Sequence, residues 1–182
     1  MNRRGFLVLT GAAIASPALV RAAAPIRLGL TPVFLDNDAE VIARLREAIG
    51  AGTGRTIDLV QRRTYQEVTG LLLEGGVEAA WLCGYPFLQH EAALSLLGVP
   101  VWRGAPLYRS YLIVGTDDTA EGLSDLQGGT HAFSDPDSNS GWLVTASDLA
   151  RMGQRPEIFF QRTLFAYGHR NVARAVAGGL TP

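Results

Sequence analysis

The feature that narrows the fold most is a regular alternation of short strand-like runs with capped helical patterns. Ile26-Arg27-Leu28-Gly29-Leu30 reads as a strand. Asn37 and Glu40 stand at capping-box spacing, and Val41, Leu45, Ala48 and Ile49 mark one helical face that Gly50 and Gly52 are expected to stop. Thr56-Ile57-Asp58-Leu59-Val60 predicts the next strand. Thr64 and Glu67 form a second capping-box pair, followed by Val68, Leu71 and Leu72 and the stop Gly75-Gly76. Val77 to Leu82 predicts a third strand, Cys83-Gly84-Tyr85-Pro86 a loop, and Phe87 to Leu97 a helix. Strand–helix repeats with such short connections predict a parallel sheet with helices on its faces.

The second half is less regular. Val99-Pro100-Val101-Trp102 predicts a short strand, Arg103-Gly104-Ala105-Pro106 a crossover, and Tyr108 to Val114 a β-rich run opening a second lobe. Leu123 to Gln127 predicts a helical turn, Thr130 to Phe133 a buried strand, and Ile158-Phe159-Phe160 a further strand. After the turn Tyr167-Gly168-His169, Asn171 to Ala177 predicts a helix with Val172, Ala173 and Val176 inward.

Between these lies Ser134-Asp135-Pro136-Asp137-Ser138-Asn139-Ser140-Gly141-Trp142. Asp-Pro-Asp is turn chemistry, and Ser138, Asn139 and Ser140 are all good helix N-caps. Trp142, Leu143, Ala146, Leu149 and Ala150 then share one face, up to Gly153. Two readings stay open. The stretch is a capped helix after a turn, or its free N–H groups and hydroxyls form an anion cradle that needs no lysine. In open α/β sheets ligands bind beyond the carboxyl ends of strands. That rule singles out Thr31–Phe34, Cys83–Tyr85, Ser134–Ser140 and Tyr167–His169.

Composition removes several alternatives. All 16 basic residues are arginine, so a Walker A loop, a lysine Schiff base and a Ser-x-x-Lys nucleophile pair are excluded. Cys83 is the single cysteine, which rules out an internal disulfide; it is expected to be a small buried hydrophobe. A net charge of −1 gives no sign of a nucleic-acid partner. His90, His131 and His169 lack the short spacing of a metal site, and no cofactor motif is present. Residues 1–24 read as an export signal. Asn2-Arg3-Arg4-Gly5-Phe6-Leu7 resembles a twin-arginine start, and an apolar run to Val20 precedes Ala22-Ala23-Ala24. Removing residues 1–22 takes away Arg3, Arg4 and Arg21 and moves the net charge from −1 to −4.

Several of these segments together resemble one family. They are Tyr108-Arg109-Ser110-Tyr111-Leu112-Ile113-Val114, Leu123-Ser124-Asp125-Leu126-Gln127-Gly128, the run Phe133 to Val144, and Tyr167-Gly168-His169-Arg170-Asn171-Val172. They are similar to the phosphate/phosphite/phosphonate-binding proteins of ABC transporters, and the order of the N-terminal half agrees. The resemblance covers essentially the whole chain after the signal. It implies an α/β, two-lobed type II periplasmic binding protein, with lobes at 25–105 and 106–182, that is not an enzyme. The implied partners are a small oxyanion in the inter-lobe cleft and an inner-membrane permease, with a periplasmic location. Carried over residue by residue, the ligand's oxygens sit on Ser138, Asn139 and Ser140, with Tyr85 donating from the first lobe and His169 from the second.

This chain departs from the family at Asn139, where a hydroxyl residue is common, and at Phe34, where a hydroxyl-bearing aromatic is common. The family's pattern also continues beyond Pro182, including acidic residues that contact a ligand amine. The expectation is therefore a second lobe and a return to the first lobe that are incomplete, with open sheet edges and poor stability as a monomer. Two other functions stay in view: a ligand-sensing module for a membrane kinase, and a serine hydrolase using Ser138 and His169 with Asp135. The hydrolase lacks a Gly-x-Ser-x-Gly elbow. Asp135 and Asp137 are otherwise expected as turn residues, Tyr167 as core, and Arg109 in an ion pair.

Overall fold

A computed structural model describes residues 23–33 and 39–181. The expected signal, the Asn37 cap and Phe34 fall outside the described residues. The first sheet has strand order β2-β1-β3 and is parallel throughout: β1 Ile26–Leu30, β2 Ile57–Gln61 and β3 Ala79–Trp81. Leu28, Leu30 and Ile57 are buried on one face, where Leu45 and Ile49 of α1 (Ala39–Thr53) pack on them. On the other face a Cβ at Gly29 would stand 3.1 Å from Val68 of α2 (Tyr65–Leu73) and 3.2 Å from Ala80. Glycine there lets α2 lie close to the sheet. The sheet thus carries a helix on each face, as the alternation predicts.

Two details of α1 differ from expectation. Val41 is exposed and Ala48 also faces solvent, while Ile42, Leu45 and Ile49 turn inward. The bulkier set of apolar residues wins the buried face because it removes more area from water. The helix also runs through Gly50 and Gly52 and stops at Gly54, whose φ is +65°. A helical glycine costs only about 1 kcal/mol; the left-handed residue after the last turn is what ends the helix. The capping box of α2 forms as expected: the Glu67 N–H donates to Thr64 Oγ1 at 3.2 Å and the Thr64 N–H to Glu67 Oε2 at 3.0 Å.

The connection to the second sheet departs further. Helix α3 is Gly84–Gln89, begun at Cys83 and ended before the expected Leu97. Pro86 is accepted in its first turn, where no N–H is needed. Leu96, Leu97 and Val99 are exposed. In place of a strand at Val99–Trp102 there is a tight hairpin, where Trp102 and Ala105 exchange backbone hydrogen bonds of 2.9 and 3.1 Å. Arg103 and Gly104 both adopt positive φ, +50° and +82°, as a type I′ turn requires. The run Tyr108–Val114 has no sheet neighbour among the described residues, so its β propensity is unexpressed.

The second sheet pairs β4 (Thr130–Phe133) with β5 (Arg162–Phe165), again in parallel. The strand expected at Ile158–Phe160 is instead the short helix α5, Pro156–Phe159. Pro156 sets its first turn, and Phe159 and Phe160 are buried while Ile158 is exposed. Phe133 lies at the centre of the core, edge-on to Trp142 at 4.7 Å and beside Phe160 and Phe165. Helix α4 (Val144–Arg151) buries Leu149 but exposes Ala150, and Gly153 at φ +70° follows it. In α6 (His169–Ala177) the inward residues are Val172, Ala175 and Val176; Ala173 is exposed. Spacings of i, i+3 and i+4 fix that face.

Candidate functional site

The loop after β4 is built around Asp135 and Gly141. Asp135 is fully buried; its Oδ1 accepts the Asp137 N–H at 2.9 Å, which closes the turn. Its Oδ2 accepts the Tyr65 N–H at 3.2 Å, at the start of α2. The expected turn residue thus also ties the second sheet's loop to a helix N-terminus of the first, where the dipole favours a carboxylate. Burial raises the Asp135 pKa, and the two N–H donors and the nearby His169 oppose the rise.

Gly141 is demanded by space. A Cβ on it would lie 1.8 Å from Ser134 Oγ and 3.0 Å from Ser138 Oγ. Its carbonyl accepts the Ser134 N–H at 3.1 Å, and its N–H donates to Ser138 Oγ at 3.0 Å. The helix start is therefore pressed directly onto the end of β4. It begins with one wide turn, Asn139–Leu143, before α4 continues. The Asn139 N–H donates to Cys83 Sγ at 3.3 Å, a second tie to the first sheet's loops. Ser110 Oγ donates to the Ser140 carbonyl at 2.7 Å.

Tyr65 stands between the two halves. It is 2% exposed, and its hydroxyl lies 3.5 Å from His169 Nε2. Burial pushes the phenol pKa far above its ordinary value, so the group stays a donor. Desolvation lowers the His169 pKa while the Asp135 carboxylate pulls it back up.

Two clefts meet at this point. One, of about 440 Å³, lies under the Tyr108–Val114 run; the other, of about 1120 Å³, opens between β3, α3 and the Leu94–Tyr108 connection. Of the five residues expected at the site, Ser140 and His169 line both clefts. Ser138 is buried and caps the turn. Asn139 is partly buried, its amide 3.5 Å from the Tyr108 hydroxyl. Tyr85 is partly buried on α3 and lines neither cleft. Thr31, Tyr65 and Tyr108 also line the larger cleft and were not among the five residues expected to hold the ligand, although Thr31 belongs to a loop that strand-end position singled out. Thr31 had a signal, since it begins the loop after the first strand. Tyr65 had one too: it is the first residue after a capping-box threonine.

The three residues of the hydrolase alternative do not form a relay. Ser138 Oγ accepts the Gly141 N–H, His169 Nε2 faces Tyr65, and Asp135 accepts from the backbone of Tyr65 and Asp137. Cys83 is partly buried rather than fully so, and Tyr167 is exposed rather than core. Among the described residues no group of three His, Cys, Asp or Glu is placed to hold a metal ion.

The fold has close counterparts among solved structures. A binding-protein component of an ABC phosphonate transporter from Pseudomonas aeruginosa superposes with a TM-score of 0.74 at 23% identity, covering 86% of this chain and 55% of that one. PhnD1 from Prochlorococcus marinus, solved with methylphosphonate, gives 0.64 at 12% identity, with 86% and 61% covered. The periplasmic aliphatic sulphonate-binding protein SsuA from Escherichia coli gives 0.54 at 17% identity, with 86% and 52% covered. The chain thus has the α/β fold of type II periplasmic binding proteins over little more than half of their length. A sequence search among curated proteins found no significant match. Residues 28–182 match the family model for the phosphonate periplasmic substrate-binding protein of ABC transporters, and the chain belongs to that family.

Proposed function

We propose that this chain is the ligand-binding component of an ABC importer and takes a phosphonate- or phosphate-like oxyanion between lobes at 25–105 and 106–182. The observation that carries the reading is the convergence on one cleft of neutral polar groups from both sheets. Thr31 and Tyr65 come from the first, Ser140 and His169 from the second. Among the described residues no arginine lines this cleft. Hydrogen-bond donors at a helix start hold an oxyanion without a cation. The Asn139 and Gly141 N–H groups are taken by Cys83 and Ser138, which leaves the Ser140 N–H and hydroxyl facing the ligand. Ser138 then holds the turn's shape, and His169 and Tyr65 supply further donors, while Asn139, which lines neither cleft, braces the turn against Cys83 and Tyr108. Residues 1–24 act as a twin-arginine-type signal that delivers the chain to the periplasm, where an inner-membrane permease is its partner. No covalent step is assigned to the site.

The test is a thermal-shift titration of the chain from Ala23 with phosphate, phosphite, methylphosphonate, 2-aminoethylphosphonate and sulfate. A ligand at 100 times its Kd adds about 2.7 kcal/mol of stability. A shift by a phosphorus oxyanion that Ser140→Ala reduces supports the reading. A cooperative transition that none of the five moves overturns it.

A further inference from the structure

The loop after β4 makes hydrogen bonds of two kinds. Two are internal: Asp135 Oδ1 accepts the Asp137 N–H at 2.9 Å, and Ser138 Oγ accepts the Gly141 N–H at 3.0 Å. Two cross to connections of the first sheet: Asp135 Oδ2 accepts the Tyr65 N–H at 3.2 Å, and Cys83 Sγ accepts the Asn139 N–H at 3.3 Å. Asp135 takes part in both kinds. Tyr65 is the first residue of α2, so its N–H has no carbonyl of its own helix to pair with. Asp135 supplies that acceptor, and both residues are almost inaccessible to water. A thiol is a weak acceptor, whereas a hydrogen bond to a carboxylate is stronger than one between neutral groups. The carboxylate is therefore the stronger of the two cross-links.

We propose that Asp135 is a positioning residue of the site, with a separate task for each carboxylate oxygen. Oδ1 shapes the turn that presents Ser140, and Oδ2 holds α2 of the first sheet against that turn. Thr31 and Tyr65 from the first sheet face the same cleft as Ser140 and His169 from the second, and the Tyr65 hydroxyl lies 3.5 Å from His169 Nε2. Asp135 lines neither cleft, so it acts through the residues that do. The donor set is complete only while the two sheets are held together. That consequence for binding rests on the oxyanion reading above.

Asparagine separates the two tasks. Asp135→Asn keeps one acceptor oxygen and puts an NH2 in place of the other. Asp137, two residues on, retains the oxygen in the local turn, which sets the amide nitrogen against the Tyr65 N–H, donor against donor. The test is amide hydrogen exchange, followed by NMR on the full chain at neutral pH. No ligand enters it, so its failure leaves the oxyanion reading standing. In Asp135→Asn the Tyr65 and Asn139 N–H groups should exchange about tenfold faster or more, while the Asp137 and Gly141 N–H groups keep the parent's rates. Equal acceleration of all four, or of none, overturns the proposal, and so does acceleration confined to Asp137 and Gly141. Acceleration at Tyr65 without Asn139 overturns it too, because the bond is then lost without the sheets parting. If Asp135→Asn does not fold, Tyr65→Pro compared with Tyr65→Ala carries the test. Both remove the phenol, and only proline, which the first position of a helix accepts, removes the N–H as well. The Asn139 N–H should then exchange about tenfold faster in the proline variant than in the alanine variant; equal rates overturn the proposal.

Discussion

Two segments fare very differently in this molecule, and in the opposite order to their apolar content. The stretch from Thr130 to Arg151 forms a strand, a closed turn and a helix, and Phe133, Ser134, Asp135, Ser138 and Leu149 in it are almost inaccessible to water. The stretch from Leu94 to Val114 is far richer in Leu, Val, Ile, Trp and Tyr, with 12 of its 21 residues against 4 of 22. Yet it holds one hairpin bridge, and Leu97, Trp102, Leu107 and Tyr111 are largely exposed. The difference is supply of neighbours. Thr130–Phe133 has β5 beside it and Trp142, Phe160 and Phe165 above it. Tyr108–Val114 has no paired strand among the described residues. Apolar content makes burial favourable only where a second surface is present to exclude water.

That contrast is broken most severely by Gly141→Ala. The new methyl meets Ser134 Oγ at 1.8 Å, so the turn and the strand end must part. We expect a loss of about 3 kcal/mol, read by urea unfolding. Adding Ser134→Ala should restore part of it, because Ser134 Oγ is buried without a partner and its removal is close to neutral. If Gly141→Ala is tolerated, the close packing of the turn is wrong.

Acid comes next. His131 lies in β4, stacked on Phe160 at 4.5 Å, and burial holds its pKa at about 4. An unfolded chain would protonate this histidine near pH 6.5. Between those values the unfolded state binds more protons, so stability is complete above about pH 6.5 and falls as the pH drops towards 4. The loss is about 3 kcal/mol. His131→Phe should flatten unfolding curves across that window. On the first sheet Glu78 behaves differently: its hydrogen bonds from Arg27 lower its pKa to about 2. Its stabilisation is present above the ordinary carboxylate range and disappears only as pH falls towards 2. The pair is solvent-exposed, and Glu78→Gln should change little at neutral pH.

A smaller effect sharpens the site. Tyr65→Phe removes the hydroxyl that reaches His169, and should cost about 1 kcal/mol of stability and weaken oxyanion binding. Tyr85→Phe should leave both nearly unchanged, since Tyr85 lines neither cleft. Equal effects of the two changes on ligand titration would restore Tyr85 to the site. Smallest of all, Tyr111→Ser should stay within about 0.5 kcal/mol of the parent, because 76% of Tyr111 is already exposed.

By itself the sequence determined the elements whose signals are local. The β1–α1–β2–α2 order follows from period and capping, as the Thr64–Glu67 box shows. The turn at Asp135 and the helix start at Ser138 follow from side chains that bond backbone two and three residues away. The tertiary structure decided what depends on contacts distant in the chain. Leu94–Val114 holds only the Trp102–Ala105 bridge because no partner strand is beside it among the described residues. Phe159 enters the core from a helix, and the paired strand lies later, at Arg162–Phe165. The site was divided in the same way. That Ser140 and His169 stand at the clefts was legible from loop position and family pattern. Tyr65 joined them because Asp135, 70 residues away in sequence, holds the start of its helix against the turn after β4, and no local spacing encodes that bond.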